Sequence, residues 1–209
     1  MNNLQVLWLT DESKNLIHQD AFTLSNPNII QHISSGKKDI GNSREGWRNA
    51  DRLIRSWWKS DGYKTNADTI FCLEWDVYCN YPLEKLEISA GLNGTYILNP
   101  IDNEDWCWWQ ELNRLPKDLH QYATGCAPLG FLAISRNCLD DISDQKFDSI
   151  FAADIFSEMR LPTCVKSCEY NVQEFIKTDL KNSIFCHEID IPTKQANIYH
   201  AVKKVIDNI

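Results

Sequence analysis

This chain of 209 residues has few of the residues that interrupt helices and strands, with 8 glycines and 7 prolines. It lacks internal repeats, low-complexity tracts and linker-like segments, so one domain over residues 1–209 is predicted. No apolar run approaches the roughly 20 residues that a transmembrane helix needs. The N-terminus lacks the basic segment and long apolar core of a secretory signal, which predicts a cytoplasmic protein. Peripheral contact with a membrane is left open.

Positive charge is also scarce, because 21 lysines and arginines stand against 29 acids, for a net charge of −8. Proteins that follow the phosphates of nucleic acids carry a basic surface, so a nucleic-acid partner is not expected. A small anionic ligand remains compatible with this charge. An acidic protein can hold a phosphate through a divalent metal ion.

Several well-known motifs are missing: there is no Walker loop, GxGxxG, GxSxG or HExxH. Their absence argues against P-loop nucleotide binding, dinucleotide binding, serine hydrolysis and zincin chemistry. The 8 cysteines are scattered and, in a cytoplasmic protein, are expected to be reduced thiols. A zinc site is one alternative, although its spacing lacks the tight pairing of common zinc modules. It would use Cys164, Cys168, Cys186 and His187.

Short apolar runs predict buried strands at residues 4–9, 28–34, 67–76, 130–135 and 183–189. Residues 44–58 carry the clearest helical period, and a helix is also expected after Ser13. The order β-α-β-α-β, with continuous rather than alternating apolar strands, is typical of a parallel sheet covered by helices. The predicted fold class is therefore α/β, with a mostly parallel sheet flanked by helices.

The second half of the chain has weaker patterns. Residues 105–116 are expected to begin as a capped helix or a tight loop. Residues 143–162 predict a helix that ends near Pro162, because a proline disfavours helical geometry in the residue before it. The closing residues 196–209 have some helical character.

Two acids, Glu74 and Asp76, directly follow the apolar run of the third predicted strand. Ligands of open parallel sheets sit at the carboxyl ends of strands, and residues i and i+2 of an extended chain point to the same side. Two close carboxylates repel unless a cation lies between them, and oxygen ligands suit Mg²⁺ or Mn²⁺. The alternative is a solvent-exposed strand end at which both acids face water.

This arrangement resembles the nucleotide-diphospho-sugar transferases of the GT-A fold, with Glu74-Trp75-Asp76 as an ExD variant of their DxD motif. The resemblance implies a glycosyltransferase that moves a sugar from a nucleotide diphosphate to a hydroxyl acceptor. It implies Mn²⁺ or Mg²⁺ as cofactor, with Asp76 as the stronger metal ligand and Glu74 as the weaker one. Thr10, at the end of the first strand, would contact the donor.

The resemblance also implies roles for later residues. Glu158 would be the general base, with Asp154 as its substitute, on the same face if this stretch is helical. The alternative for Glu158 is a surface salt bridge with Arg160. The segment 198–204 looks like the HxxK ending of some transferases, so His200 would join the metal and Lys203 would meet the diphosphate. Whether His187 takes the place of His200 is left open.

Four arginines form a stripe along the helix at residues 44–58: Arg44, Arg48, Arg52 and Arg55. Such a stripe is usually solvated. Arg44 and Arg48 could instead reach the diphosphate, for which guanidinium groups offer bidentate geometry.

Trp106, Trp108 and Trp109 lie within four residues, and aromatic faces pack well against sugar rings. They would form an acceptor wall, with core packing as the alternative. Two other functions stay open. One is a glycan-binding module that uses this cluster without turnover, and the other is a zinc-stabilised interaction domain.

Overall fold

The structure, a computed structural model, describes residues 6–11, 29–34, 48–73, 77–79, 83, 86–175 and 198–199. Its strands are β1 (Val6–Asp11), β2 (Ile29–Ser34), β3 (Thr69–Leu73), β4 (Tyr78–Cys79), β5 (Gly91–Gly94), β6 (Tyr96–Leu98), β7 (Gly125–Ala127), β8 (Phe131–Ser135), β9 (Asn171–Glu174) and β10 (Ile198–Tyr199). Its α-helices are α1 (Ala50–Ser60), α2 (Arg136–Ile142), α3 (Asp148–Ala152) and α4 (Ser157–Ser167). Short 3₁₀ helices span Gly62–Lys64, Cys107–Arg114, Lys117–Tyr122 and Gln145–Phe147. The predicted α/β class is confirmed.

The N-terminal strands β1 and β2 lie side by side and run parallel. Their pairing extends from Val6 opposite Ile29 to Asp11 opposite Ser34, and Thr10 lies opposite Ile33. Helix α1 packs close to both strands. The two predicted apolar strands and the helix at residues 44–58 are therefore found here, while the helix expected after Ser13 lies outside the described residues.

The four-stranded sheet has the order β3-β8-β5-β9 and is mixed. Strand β8 is antiparallel to both β3 and β5, while β5 and β9 are parallel. The prediction of a mostly parallel arrangement does not hold for this sheet. It rested on the continuous apolar runs, which show that a strand is covered on both faces but not which way its neighbour runs.

Both faces of this sheet are covered by apolar side chains. Leu132 and Ile134 of β8 point into the larger core, which also contains Trp57 and Trp58 of α1. Phe131 and Ala133 of β8 belong to a smaller cluster with Phe175 on the opposite face. Burial on both sides explains why the run at residues 130–135 is apolar without alternation.

The stretch 143–162 does not form one helix that ends near Pro162. It divides into a 3₁₀ helix and α3, and α4 then begins at Ser157 and continues through Pro162 to Ser167. A proline inside a helix costs roughly 3 kcal/mol because it removes a hydrogen bond and crowds the preceding turn. Residues 157–165 are all buried, so tertiary packing offsets this local cost.

Two other segments have a different structure from the one that their sequence predicts. Residues 107–114 form a 3₁₀ helix, where the pattern predicted a capped helix or a tight loop. In the closing segment, Ile198 and Tyr199 pair with Cys79 and Tyr78 as the antiparallel strands β10 and β4. The expected helical character is therefore wrong at these two residues. The run at 183–189 lies outside the described part of the chain.

Candidate functional site

Three strands end at the same edge of the four-stranded sheet. Strands β3 and β5 both run antiparallel to β8 and therefore run in one direction, with Leu73 opposite Phe131 and Asn93 opposite Ala133. Strand β9 ends there as well, because it is parallel to β5 and pairs Glu174 with Gly94. In open α/β sheets, ligands bind outside the carboxyl ends of strands. Glu74 and Asp76, the predicted metal ligands, directly follow β3 in the chain, although both lie outside the described residues.

Helix α4, which carries Glu158, packs against β7. The Sγ atom of Cys126, in β7, occupies the space that a Cβ atom on Gly94 would need. Burial raises the pKa of the Cys126 thiol, and the negative charge of Glu158 raises it further. Glu158 is in the first turn of α4 and is 5% exposed. It is therefore a buried acid, in contrast to the surface acid of the alternative interpretation.

Asp154 differs from Glu158 in its position relative to α4 and in its exposure to solvent. It precedes α4, so the two acids do not share a helical face, and its side chain is 83% exposed. Its Oδ1 accepts from Arg48 Nη2 at 3.2 Å, and its Oδ2 accepts from Arg114 Nη1 at 3.3 Å. The same Arg114 nitrogen donates to the Asp154 carbonyl at 2.7 Å. Asp154 is thus an exposed carboxylate held between two guanidinium groups.

Glu111 is the buried counterpart of Asp154 and was not singled out from the sequence. Its Oε1 accepts from Arg48 Nη2 at 2.8 Å, and its Oε2 accepts from the backbone N–H of Phe156 at 2.7 Å. Partial burial alone would lower the pKa of Arg48, but Glu111 and then Asp154 raise it above its usual value. Glu111 therefore fixes both Arg48 and the turn that leads into α4. Nothing in its local sequence indicated this, because the two contacts span 63 and 45 residues.

The three clustered tryptophans divide into two groups. Trp108 stacks on Phe156, with ring centroids 4.1 Å apart and planes at 17°, and Arg48 lies 5.6 Å from its ring centroid. Trp106 and Trp109 contact each other edge to face at 4.7 Å and pack against the main core. Trp109 also donates from Nε1 to the carbonyl of Asn103 at 2.8 Å. Trp108 is the member that borders the charged cluster.

Arg52 and Arg55, the two arginines of the stripe that lie in α1, do not form a solvated face. Arg55 donates to the carbonyls of Ile142 and Asp144 at 2.9 and 2.8 Å. It also forms an ion pair of 2.5 Å with Asp148. Arg52 donates to the carbonyl of Ala153 at 2.9 Å. These arginines bind neighbouring segments of the protein, so the solvated interpretation is wrong for them.

The remaining predicted site residues lie outside the described part of the chain. They are Arg44, Glu74, Asp76, His187, His200 and Lys203. Within the described ranges, no three His, Cys, Asp or Glu side chains are grouped so that they could hold a metal ion. For the alternative zinc site, Cys164 is buried, which raises the pKa of its thiol. Cys168 is half-buried, and burial raises the pKa of its thiol as well. The other two members, Cys186 and His187, lie outside the described residues. The metal predictions therefore stay predictions.

Comparisons with known proteins leave the family of this chain open. No family model, curated protein or solved structure matches it. Among the described helices, none is both long enough and apolar enough to cross a membrane.

Proposed function

We propose that this chain is a metal-dependent glycosyltransferase of the GT-A type that acts in the cytoplasm. It would transfer a sugar from a nucleotide diphosphate to a hydroxyl acceptor. The observation that supports the proposal is the sheet edge at which β3, β5 and β9 end together. Strand β3, which leads directly into Glu74 and Asp76, ends at the sheet edge where Gly94 contacts Cys126. Helix α4, which carries the buried Glu158, packs against β7, the strand that contains Cys126.

The donor side of the site would be built from residues of several segments. Asp76 and Glu74 would hold Mn²⁺ or Mg²⁺, because paired hard oxygen ligands suit these ions, and His200 would complete the set. When bound, the metal would neutralise the leaving diphosphate. The remaining donor contacts would come from Thr10, Arg44, Arg48 and Lys203. Arg48 supports this assignment because it lies just before α1, at an N-terminal helix end that favours anions.

Glu158 would take the proton from the attacking hydroxyl of the acceptor. A general base must lie near the substrate and hold its proton-accepting form, and a carboxylate shielded from bulk solvent at the start of a helix is compatible with this role. Asp154, the substitute, is held in ion pairs with Arg48 and Arg114 in the open solvent. The contrast supports Glu158 over Asp154. The acceptor wall would be Trp108, with Trp106 and Trp109 behind it.

A glycan-binding module without turnover is the second candidate. The stack of Trp108 on Phe156 favours it, since a rigid half-buried aromatic surface supports sugar binding whether or not chemistry follows.

Thermal unfolding with sugar nucleotides, with and without Mn²⁺, tests the proposal, because a ligand that binds the native state raises the melting temperature. We expect a nucleotide diphosphate to stabilise the protein only with Mn²⁺, and Asp76→Asn to abolish this effect while the protein stays folded. Sugar transfer or hydrolysis on the same preparation identifies the enzyme. Glycan binding without either reaction identifies the module. Equal donor binding by Asp76→Asn would contradict the metal assignment.

A further inference from the structure

We infer that Arg48 and Arg114 form an oxyanion-binding site that Asp154 fills when no ligand is present. The ligand would carry a phosphoryl or carboxylate group: the diphosphate of the donor or an acid group on the acceptor. The existence of the site does not depend on transferase activity. Its assignment to a substrate rests on the proposed function.

The Asp154 carboxylate contacts the two arginines in the way that a bound oxyanion would. The two oxygens of the Asp154 carboxylate face different guanidinium groups, Oδ1 toward Arg48 and Oδ2 toward Arg114, at 3.2 and 3.3 Å. A phosphoryl or carboxylate ligand presents two oxygens at a similar separation, and guanidinium groups bind such pairs well. Asp154 therefore occupies the position that the ligand oxygens would take.

Asp154 can leave this position easily, whereas the arginines are held in place. The Asp154 side chain is 83% exposed, and ion pairs in open solvent contribute little because water and salt screen them. Arg48 is also held by Glu111, whose side chain is 6% exposed and whose Oε1 accepts from the same Nη2 atom at 2.8 Å. Arg114 is held by the carbonyl of Asp154, a backbone contact that does not require the carboxylate.

The charges of the cluster balance only while Asp154 is in place. Two arginines face two acids, and Glu111 also contacts Arg114, at 3.5 Å. When the Asp154 side chain turns into solvent, one positive charge remains without a partner from this set. That charge would attract an oxyanion, since an uncompensated positive charge raises the local concentration of anions.

Trp108 limits the kind of ligand further. Its ring lies 5.6 Å from the Arg48 guanidinium carbon and stacks on Phe156, so it is a rigid aromatic surface beside the anion site. A ligand that carries a ring next to its acid group would use both features. Nucleotide diphosphates and acidic sugars share this chemistry.

The test is an NMR titration of the guanidinium groups in protein labelled with ¹⁵N-arginine, with signals assigned from Arg48→Lys and Arg114→Lys. The probes are uridine diphosphate, methyl glucuronide and the uncharged methyl glucoside. We expect both signals to shift saturably with at least one of the two acids and not with the glucoside. Tighter binding of uridine diphosphate identifies the donor as the source of the anion, and tighter binding of the glucuronide identifies an acidic acceptor.

Asp154→Asn is the decisive variant, because it removes the competing charge and should tighten binding of the acid by about 2- to 5-fold, the size of one exposed ion pair. The matched control is Asp148→Asn. Asp148 is also an exposed carboxylate held by two cations, Arg55 and Lys59, but no site is proposed there. It should leave the affinity unchanged.

Three results would overturn the proposed site. They are unchanged or weaker binding by Asp154→Asn, an equal gain from Asp148→Asn, or no saturable shift with either acid. Transferase activity gives a separate result. Saturable binding without any sugar transfer would retain the site and reject the enzyme, and transfer without binding at the two arginines would do the reverse.

Discussion

The carboxylate of Asp51 and the guanidinium group of Arg160 form two hydrogen bonds, of 2.6 and 2.7 Å, with both side chains fully shielded from solvent. Arg160 also donates to the carbonyl of Ala153 at 2.8 Å and to Asn49 Oδ1 at 3.3 Å. The pair joins Asp51, in the first turn of α1, to Arg160, which lies in α4 two residues after Glu158. It therefore holds together the two helix ends that border the candidate site.

Breaking this pair should destabilise the protein strongly. We expect Asp51→Asn or Arg160→Met to lower the free energy of unfolding by about 3–5 kcal/mol, because the remaining group keeps its desolvation cost without its partner. Replacing both, as Asp51→Leu with Arg160→Met, should cost less than the sum of the single changes. Urea unfolding curves measure all three values.

Lys64→Ala is the control for this experiment, because it breaks an ion pair with Asp61 in which both side chains are more than half exposed. It should leave the urea midpoint unchanged. The single variants at Asp51 and Arg160 should lose more unfolding free energy than the control does. An equal loss would show that the buried pair does not support the helix contact.

Glu158→Gln should separate chemistry from binding. A general base acts on the acceptor hydroxyl and adds little to donor affinity, so nucleotide-sugar binding should remain. Transfer should fall by roughly 10²–10⁴-fold, the usual effect of losing a positioned proton acceptor. Initial rates and binding titrations on one preparation measure both quantities.

Glu169→Gln makes the same chemical change just beyond the opposite end of α4, at an exposed residue, and should leave turnover unchanged. If Glu158→Gln also turns over like the parent, Glu158 is not the base. A retaining reaction or Asp154 would then be the remaining explanation.

The tryptophans should respond differently to truncation. Trp108→Ala should weaken acceptor use more than donor binding, since Trp108 stacks on Phe156 at the edge of the charged cluster. Trp109→Ala should mainly lower the melting temperature, because Trp109 packs against the core and donates to Asn103. Its cost should stay below the about 3–5 kcal/mol of a fully buried aromatic residue, as Trp109 is half-buried. Equal acceptor effects from both variants would reject this division of roles.

Stability at acid pH should depend on Asp148. Its hydrogen bonds with Arg55 and then Lys59 lower its pKa below the usual 3.8 in the folded protein. A depressed pKa contributes stability that is present above the unfolded-state value and is lost as the pH falls through the folded-state value. The parent should therefore be more stable than Asp148→Asn at pH 7, and the difference should shrink below about pH 4. Melting temperatures measured from pH 7 to pH 3 decide this, and a constant difference would contradict the assignment.

Local sequence patterns were sufficient for several elements of this fold. The apolar runs at residues 4–9, 28–34 and 130–135 predict β1, β2 and β8, because short apolar runs bounded by turn signals are typical of buried strands. The spacing around Ile54, Trp57 and Trp58 predicts α1 and its buried face. These features depend on residues close in the chain.

The helix through Pro162 and the mixed sheet could not be predicted in this way. Burial of α4 on several sides outweighs the local preference of proline, and only the assembled core supplies that burial. The direction of β8 relative to β3 and β5 depends on strands far apart in the chain. An apolar run has the same composition whether its neighbours are parallel or antiparallel.

The same distinction applies to the candidate site. The sequence alone shows that two acids follow an apolar run, that four arginines are spaced along residues 44–55 and that three tryptophans lie within residues 106–109. Three features became visible only in the fold: Asp154 lies between Arg48 and Arg114, Asp51 is buried against Arg160, and Trp108 packs separately from Trp109. The physical reason is that charge pairing and desolvation depend on distances in space, and the Asp51–Arg160 hydrogen bonds join residues 109 positions apart in the chain.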